Sequence, residues 1–126
     1  YSGETIAAND IGAVAYYTNG KVIDLWGLGT IEVSKSRRNH YWNADFLDRL
    51  CRQKNVRLAI IYDSWFQNAF EHRWQKIAEW KIPDNVVCGD DTVSFYAVDS
   101  AIAPELKKNL QQYQTKLPSE VSVTYY

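Results

Sequence analysis

Short apolar runs separated by polar breaks dominate the chain, and their spacing sets the expected elements. The run "ETIAAN" predicts a short strand that ends at Asn9-Asp10. Both residues are good helix N-caps, because a side-chain oxygen there can accept from a free backbone N–H. "DIGAVAYYT" then predicts a short helix whose small residues let it sit close to a sheet, and "TNG" ends it with left-handed formers. "KVIDLWG" predicts a second strand, apolar at Val22, Ile23, Leu25 and Trp26 and broken only by Asp24. Together these make a compact strand–helix–strand unit.

Beyond it, "TIEVSKSRRNHYW" is polar and basic and is expected to be loop or irregular helix. "NADFLDRLCRQKN" predicts an amphipathic helix with Phe46, Leu47, Leu50 and Cys51 on one stripe and Asn43 or Asp45 as the cap. "VRLAIIYD" is apolar enough for a strand buried on both faces, and it also stops at an aspartate, Asp63. "SWFQNAFEHRWQKIAEW" predicts one helix or two short ones. "VVCGDDTVSFYAVD" predicts an antiparallel hairpin turning at Gly89-Asp90-Asp91. "APELKKNLQQYQTKL" predicts a helix with Pro104 in its first turn, and "EVSVTYY" an edge strand. The expected class is therefore α/β: a layered fold with a mixed, mainly parallel sheet, an N-terminal strand–helix–strand unit and a C-terminal antiparallel hairpin.

At 126 residues the chain has the size of one domain, with enough length for a core without staples. A net charge of -1 provides no field to gather nucleic acid. No apolar run is long enough to span a bilayer. The chain has no Met and begins Tyr-Ser, so residues 1–126 are expected to be a single domain excised from something longer. Cys51 and Cys88 form no CxxC pair; two buried thiols or one disulfide both fit. His40 and His72 lack a metal-ligand partner at helical spacing, so no metal or cofactor is called for. "GLGT", Gly27 to Thr30, lacks the third glycine and the following helix pattern of a dinucleotide turn.

If the first three strands are parallel, Asp10, Asp24 and Asp63 lie together at carboxyl ends, where open α/β sheets bind ligands. Trp26 and Trp65 stand two residues beyond Asp24 and Asp63. Carboxylates beside indole rings suit a sugar, whose hydroxyls donate to the acids while its flat face lies on the ring. The simpler reading makes Asp10 a helix cap, Asp24 an acceptor for loop N–H groups and Trp26 a core residue. The segment "SKSRRNHYW" places Lys35, Arg37, Arg38 and His40 before Tyr41 and Trp42. It fits a membrane interface, a phosphate-bearing substrate or a solvated loop.

"NDIGAVAYYTNGKVIDLWGL" resembles a segment of the C-terminal soluble region of bacterial multi-spanning membrane glycosyltransferases, which transfer sugars from polyprenyl-phosphate donors outside the cytoplasm. The matching positions are Asp10, Ile11, Gly12, Tyr16, Gly20, Val22, Ile23, Asp24, Leu25, Gly27 and Leu28. "RLAIIYDSWF" and "VSFYAVD" fit the same layout more loosely. In that family the catalytic carboxylates lie between early transmembrane helices, which these 126 residues do not contain. The resemblance thus implies a non-catalytic domain on the extracytoplasmic face of the bacterial cytoplasmic membrane. Its partners would be an upstream transmembrane region of the same chain and a lipid-linked sugar or the membrane surface. Asp10, Asp24, Trp26, Asp63 and Trp65 are the candidates for sugar contact, and Arg37 and Arg38 for a phosphate or lipid headgroup. A free-standing small-molecule-binding enzyme and a protein-interaction module are the rival expectations.

Overall fold

The computed structural model describes residues 3–126. Among these residues six strands form one sheet: β1 (Ile6–Ala8), β2 (Val22–Asp24), β3 (Leu58–Ile61), β4 (Gln75–Lys81), β5 (Thr92–Ala97) and β6 (Ser122–Tyr125), in the order β2-β1-β3-β5-β4-β6. Four helices accompany them: α1 (Ile11–Tyr17), α2 (Ile31–Arg38), α3 (Ala44–Gln53) and α4 (Ala103–Gln114). The strand–helix–strand unit forms as expected, with β1 parallel to β2 and to β3.

The mainly parallel sheet does not. β3–β5, β5–β4 and β4–β6 are all antiparallel, so antiparallel pairs outnumber the two parallel ones. The error lies in one segment. Phe66, Phe70 and Trp74 are spaced four apart like a helix stripe, and their rings do meet, Phe66 edge-on to Phe70 and Phe70 stacked on Trp74 at 4.0 Å and 4°. But a 3-10 turn at Asp63–Phe66 is ended by two left-handed residues, Gln67 (φ 52) and Asn68 (φ 57), which no helix can continue through. The chain then extends as β4. A bulge between Lys76 and Ala78 sets Ile77 and Ala78 side by side as buried residues and breaks the alternation that marks a strand. The hairpin accordingly runs from β4 to β5, with residues 82–91 as its loop, rather than starting at Val86.

A second correction concerns residues 30–42, which contain a regular helix, α2. Its buried face is only Val33 and Ser36, with the Ser36 hydroxyl donating to Val33 O at 2.8 Å. That leaves almost no apolar stripe to read. α3 matches its pattern: Asn43 Oδ1 accepts from Phe46 N at 2.9 Å, and Leu47, Leu50 and Cys51 are buried.

The sheet separates two cores. On one face Ala7, Ile23, Leu25, Ala59 and Tyr96 pack with Val33 of α2, with Leu47, Leu50 and Cys51 of α3, and with Phe66, Phe70 and Trp74. On the other, Ile6, Leu58, Phe95 and Ala97 pack with Ile102 and with Leu106 and Leu110 of α4. α1 is the loosest element. None of its residues is buried, and Tyr16 and Tyr17 are 80% and 83% exposed. Cys51 is buried and Cys88 exposed, and they are not paired.

Candidate binding crevice at the strand ends

β1 lies between two parallel partners, with Ala8 opposite Asp24 on one side and Ile60 on the other. All three carboxyl ends therefore open on one end of the sheet. The chain leaves β1 into α1, whose Val14 packs with the α4-side core, and leaves β3 into the 3-10 turn, whose Phe66 packs on the other face. The split between β1 and β3 is a topological switch point, where adjacent connections depart to opposite faces and leave a crevice.

At that crevice Asn9 follows β1 and Tyr62 follows β3. Asn9 is 3% exposed, and its Oδ1 accepts from the Tyr62 backbone N–H at 2.9 Å. Its Nδ2 is buried and has no hydrogen-bond partner. The Tyr62 hydroxyl donates to Asp10 Oδ2 at 3.1 Å. Burial, reinforced by the Asp10 charge, raises the pKa of that phenol well above its ordinary value, so it stays a donor. The two residues frame a cavity of about 230 Å³ whose remaining walls include Val14, Ile60 and Val93. Val14 and Ile60 also line an apolar groove of about 580 Å³ between α1 and α4, floored by Leu58 and Phe95 and flanked by Tyr17 and Leu106. The polar crevice and the apolar groove thus share a wall.

The sequence-predicted site residues divide between separate environments. Asp10 stands at the crevice rim as described. Asp24 is buried and closes its own loop: Oδ1 accepts from Trp26 N at 2.8 Å, Oδ2 from Gly29 N at 2.5 Å, and its N–H donates to Thr30 Oγ1 at 2.8 Å. The loop "GLGT" does precede a helix, α2, but the Asp24 carboxylate already takes the Gly29 N–H there and would repel an anion. Gly27 supports the turn at φ +97 in contact with Val33 and Ser34. Trp26 and Trp65 do meet, at 4.7 Å between centroids, within an aromatic cluster that includes Trp42 and Phe66. Arg37 covers the cluster, its guanidinium 4.1 Å from the Trp26 ring and 5.0 Å from the Trp42 ring, while donating to Trp26 O at 3.2 Å. Trp65 donates to Gly89 O and packs against that glycine. Arg38 is exposed in the last turn of α2.

Asp63 belongs to a third group. Its carboxylate accepts from Tyr96 Oη at 2.8 Å and Ser94 Oγ at 2.6 Å and pairs with Lys76 Nζ at 2.8 Å. Lys76 also pairs with Glu79 at 2.6 Å, and the Tyr126 hydroxyl donates to Glu79 at 2.7 Å. Burial works against the charged Lys76, but the bonds to Asp63 and Glu79 prevail and push it up to about 12. This network ties the 3-10 turn after β3 to β4, β5 and Tyr126. Its lysine is fully committed between two carboxylates.

Asn9 and Tyr62 are the residues sequence reasoning missed as a site. Asn9 and Asp10 both read as helix caps, yet Asp10 takes the N-cap position of α1 with no side-chain cap bond, and the Asn9 side chain turns to Tyr62 instead. The available signal was a polar residue closing a strand buried throughout. A larger concavity, about 670 Å³, lies at the opposite end of the sheet, by the amino ends of β1 and β3. Its arginines Arg52, Arg57 and Arg73 are each held by a carboxylate, Asp48, Glu4 and Asp45. Among the described residues no group of His, Cys, Asp or Glu is arranged to hold a metal ion, and no helix is long and apolar enough to cross a membrane.

Fold and crevice define a mixed-sheet α/β domain with an opening at its switch point. Residues 1–96 match the family described as "Domain of unknown function (DUF8728)", and the chain belongs to that family. No curated protein and no solved structure matches the chain.

Proposed function

We propose that this is a non-catalytic extracytoplasmic domain of a membrane glycosyltransferase-like protein, and that it binds the neutral glycan or glycolipid acceptor of that enzyme. The observation that carries the reading is the shared wall of crevice and groove. A molecule with a polar ring and an apolar chain would place the ring by Asn9, Asp10 and Tyr62 and the chain between α1 and α4. The acids that sequence pattern offered for chemistry are otherwise occupied: Asp24 closes a loop and Asp63 sits in an ion-pair network. That engagement favours binding over catalysis and disfavours a free-standing enzyme built on the same acids. The lining residues of crevice and groove carry one charge, that of Asp10. This favours the neutral acceptor side over a phosphate donor. Arg37, spent on Trp26 and Trp42, is not arranged to neutralise a pyrophosphate.

Two steps test it. The reading frame upstream of Tyr1 should encode several apolar stretches of about twenty residues; an initiator codon directly before Tyr1 counts against the reading. The full-length protein in detergent should transfer sugar from a polyprenyl-phosphate donor, whereas residues 1–126 alone should not. Transfer by the isolated chain overturns the non-catalytic role.

A second reading, a protein-contact module, draws on α1. A helix with no buried residue and two adjacent exposed tyrosines is shaped for a partner surface.

A further inference from the structure

We propose that the crevice between β1 and β3 is a monosaccharide site that grips two neighbouring hydroxyl groups of a neutral sugar ring, with Asn9 donating to one and Asp10 accepting from the other.

The Asn9 amide has only one orientation that fits its surroundings. The Tyr62 backbone N–H can only donate, so the atom facing it must be the carbonyl oxygen, Oδ1. The NH₂ group is thereby left buried and without a protein partner in a residue that lines the cavity. An orphaned buried donor costs about 1–3 kcal/mol, and buried polar side-chain atoms are ordinarily satisfied. An oxygen entering the cavity beside Asn9 would supply the acceptor this donor lacks.

Asp10 supplies the complementary half. Tyr62 engages Oδ2, and the residue is exposed at the rim, where its lone pairs can accept from a ligand donor. The occupant must then accept at one atom and donate at a near neighbour. A hydroxyl pair does both, because each O–H is donor and acceptor. A phosphate or carboxylate would satisfy Asn9 but would face the Asp10 carboxylate with no Lys or Arg in the lining to offset it. An ammonium would satisfy Asp10 and leave Asn9 orphaned. The apolar walls, Val14, Ile60 and Val93, suit the C–H face of a ring. About 230 Å³ is below the range of drug-sized pockets and matches one ring.

This rests on the function proposed above only for the word sugar; the site's geometry is independent of the parent protein. The test therefore uses soluble sugars and the 126-residue chain. Methyl glycosides of glucose, mannose and galactose are titrated to tens of millimolar into ¹⁵N-labelled protein, with the Asn9 side-chain NH₂ signal as readout. At least one glycoside should shift that signal downfield in a saturable manner. Asp10→Ala should weaken binding about fivefold or more. Ala13→Leu, which fills the mouth from an exposed helix position lining the cavity, should abolish it. If none of the glycosides moves the Asn9 signal, water alone is its partner and the proposal is overturned. Saturable shifts that persist unchanged in both variants place the sugar elsewhere and overturn it equally. Asp10 is exposed, so its variant keeps the comparison valid if Ala13→Leu disturbs α1. Sugar binding without any upstream membrane region would sink the parentage and leave this site standing.

Discussion

Removing the Asp24 carboxylate separates a loop-closing role from a ligand-binding one. The side chain is buried and accepts two backbone N–H groups, from Trp26 and Gly29, with no cation beside it. Hydrogen bonds to a carboxylate contribute about 1.5–3 kcal/mol each, giving an upper bound of about 3–6 kcal/mol for the pair. Two effects reduce the loss. Gly29 is exposed, so water replaces one acceptor, and Asp24→Ala also removes the burden of a buried carboxylate. The expected net destabilisation is about 2–3 kcal/mol, or a fall in Tm of about 10 °C for a domain of this size. Asp24→Asn should lose about as much, because its NH₂ opposes an N–H that needs an acceptor. Urea and thermal unfolding followed by tryptophan fluorescence measure both. A loss in either variant within about 0.5 kcal/mol of zero, the scatter of neutral surface changes, would refute the loop-closing account. Glycoside binding in the crevice should be retained in whatever fraction stays folded, since Asp24 does not line it.

Two further outcomes are expected. Burial alone would raise Glu79, yet hydrogen bonds from Lys76 and Tyr126 hold it below its ordinary value of 4.5, while Lys76 is pushed up to about 12. Stability from Glu79 is present above pH 4.5 and lost as pH falls through its lowered folded value; that from Lys76 is present below 10.5 and lost between 10.5 and about 12. Urea midpoints across pH should show Glu79→Gln with a shallower acid limb than wild type, and parallel limbs would contradict the network. The two glycines of the N-terminal unit should respond in opposite directions. A Cβ at Gly20 would lie 2.0 Å from the Glu4 carbonyl oxygen, whereas Gly12 meets only Asp10 Oδ1 at 3.9 Å. Gly20→Ala should cost about 2 kcal/mol or more, and Gly12→Ala should gain up to about 1 kcal/mol from helix propensity. Equal unfolding midpoints for the two variants would discredit the close approach of residue 20 to the first strand.

What the sequence made legible was local. α3 carries its own cap and stripe, β3 its continuous apolar run, α4 its Pro104, and β6 its alternation, and each lies where the pattern placed it. β4 was hidden because a bulge puts Ile77 and Ala78 in succession and because the aromatic residues before it mimic a helix stripe. α2 was hidden because its buried face is a valine and a serine. Its last turn did hold a readable sign, since Lys35, Arg37 and Arg38 suit the carbonyl end of a helix. For the crevice, pattern put Asp10 and Asp63 at strand ends but could not pair them with partners. The bond that defines the site joins Asn9 to Tyr62, 53 residues away. That pairing depends on β1 and β3 lying in register, which no local window contains.

The strand order also sets a sequence of events during synthesis. β3 is flanked by β1, made long before it, and by β5, made only after the 3-10 turn, β4 and the hairpin loop. A chain emerging from the ribosome therefore completes the three parallel strands while one side of Leu58–Ile61, apolar at every position, still has bare N–H and C=O groups. Such an edge invites pairing with a neighbouring nascent chain. β4 cannot relieve it, because β4 pairs only with β5 and β6. Translation pauses between residues 62 and 91 would lengthen that exposure, and the β3 edge closes when β5 pairs with it.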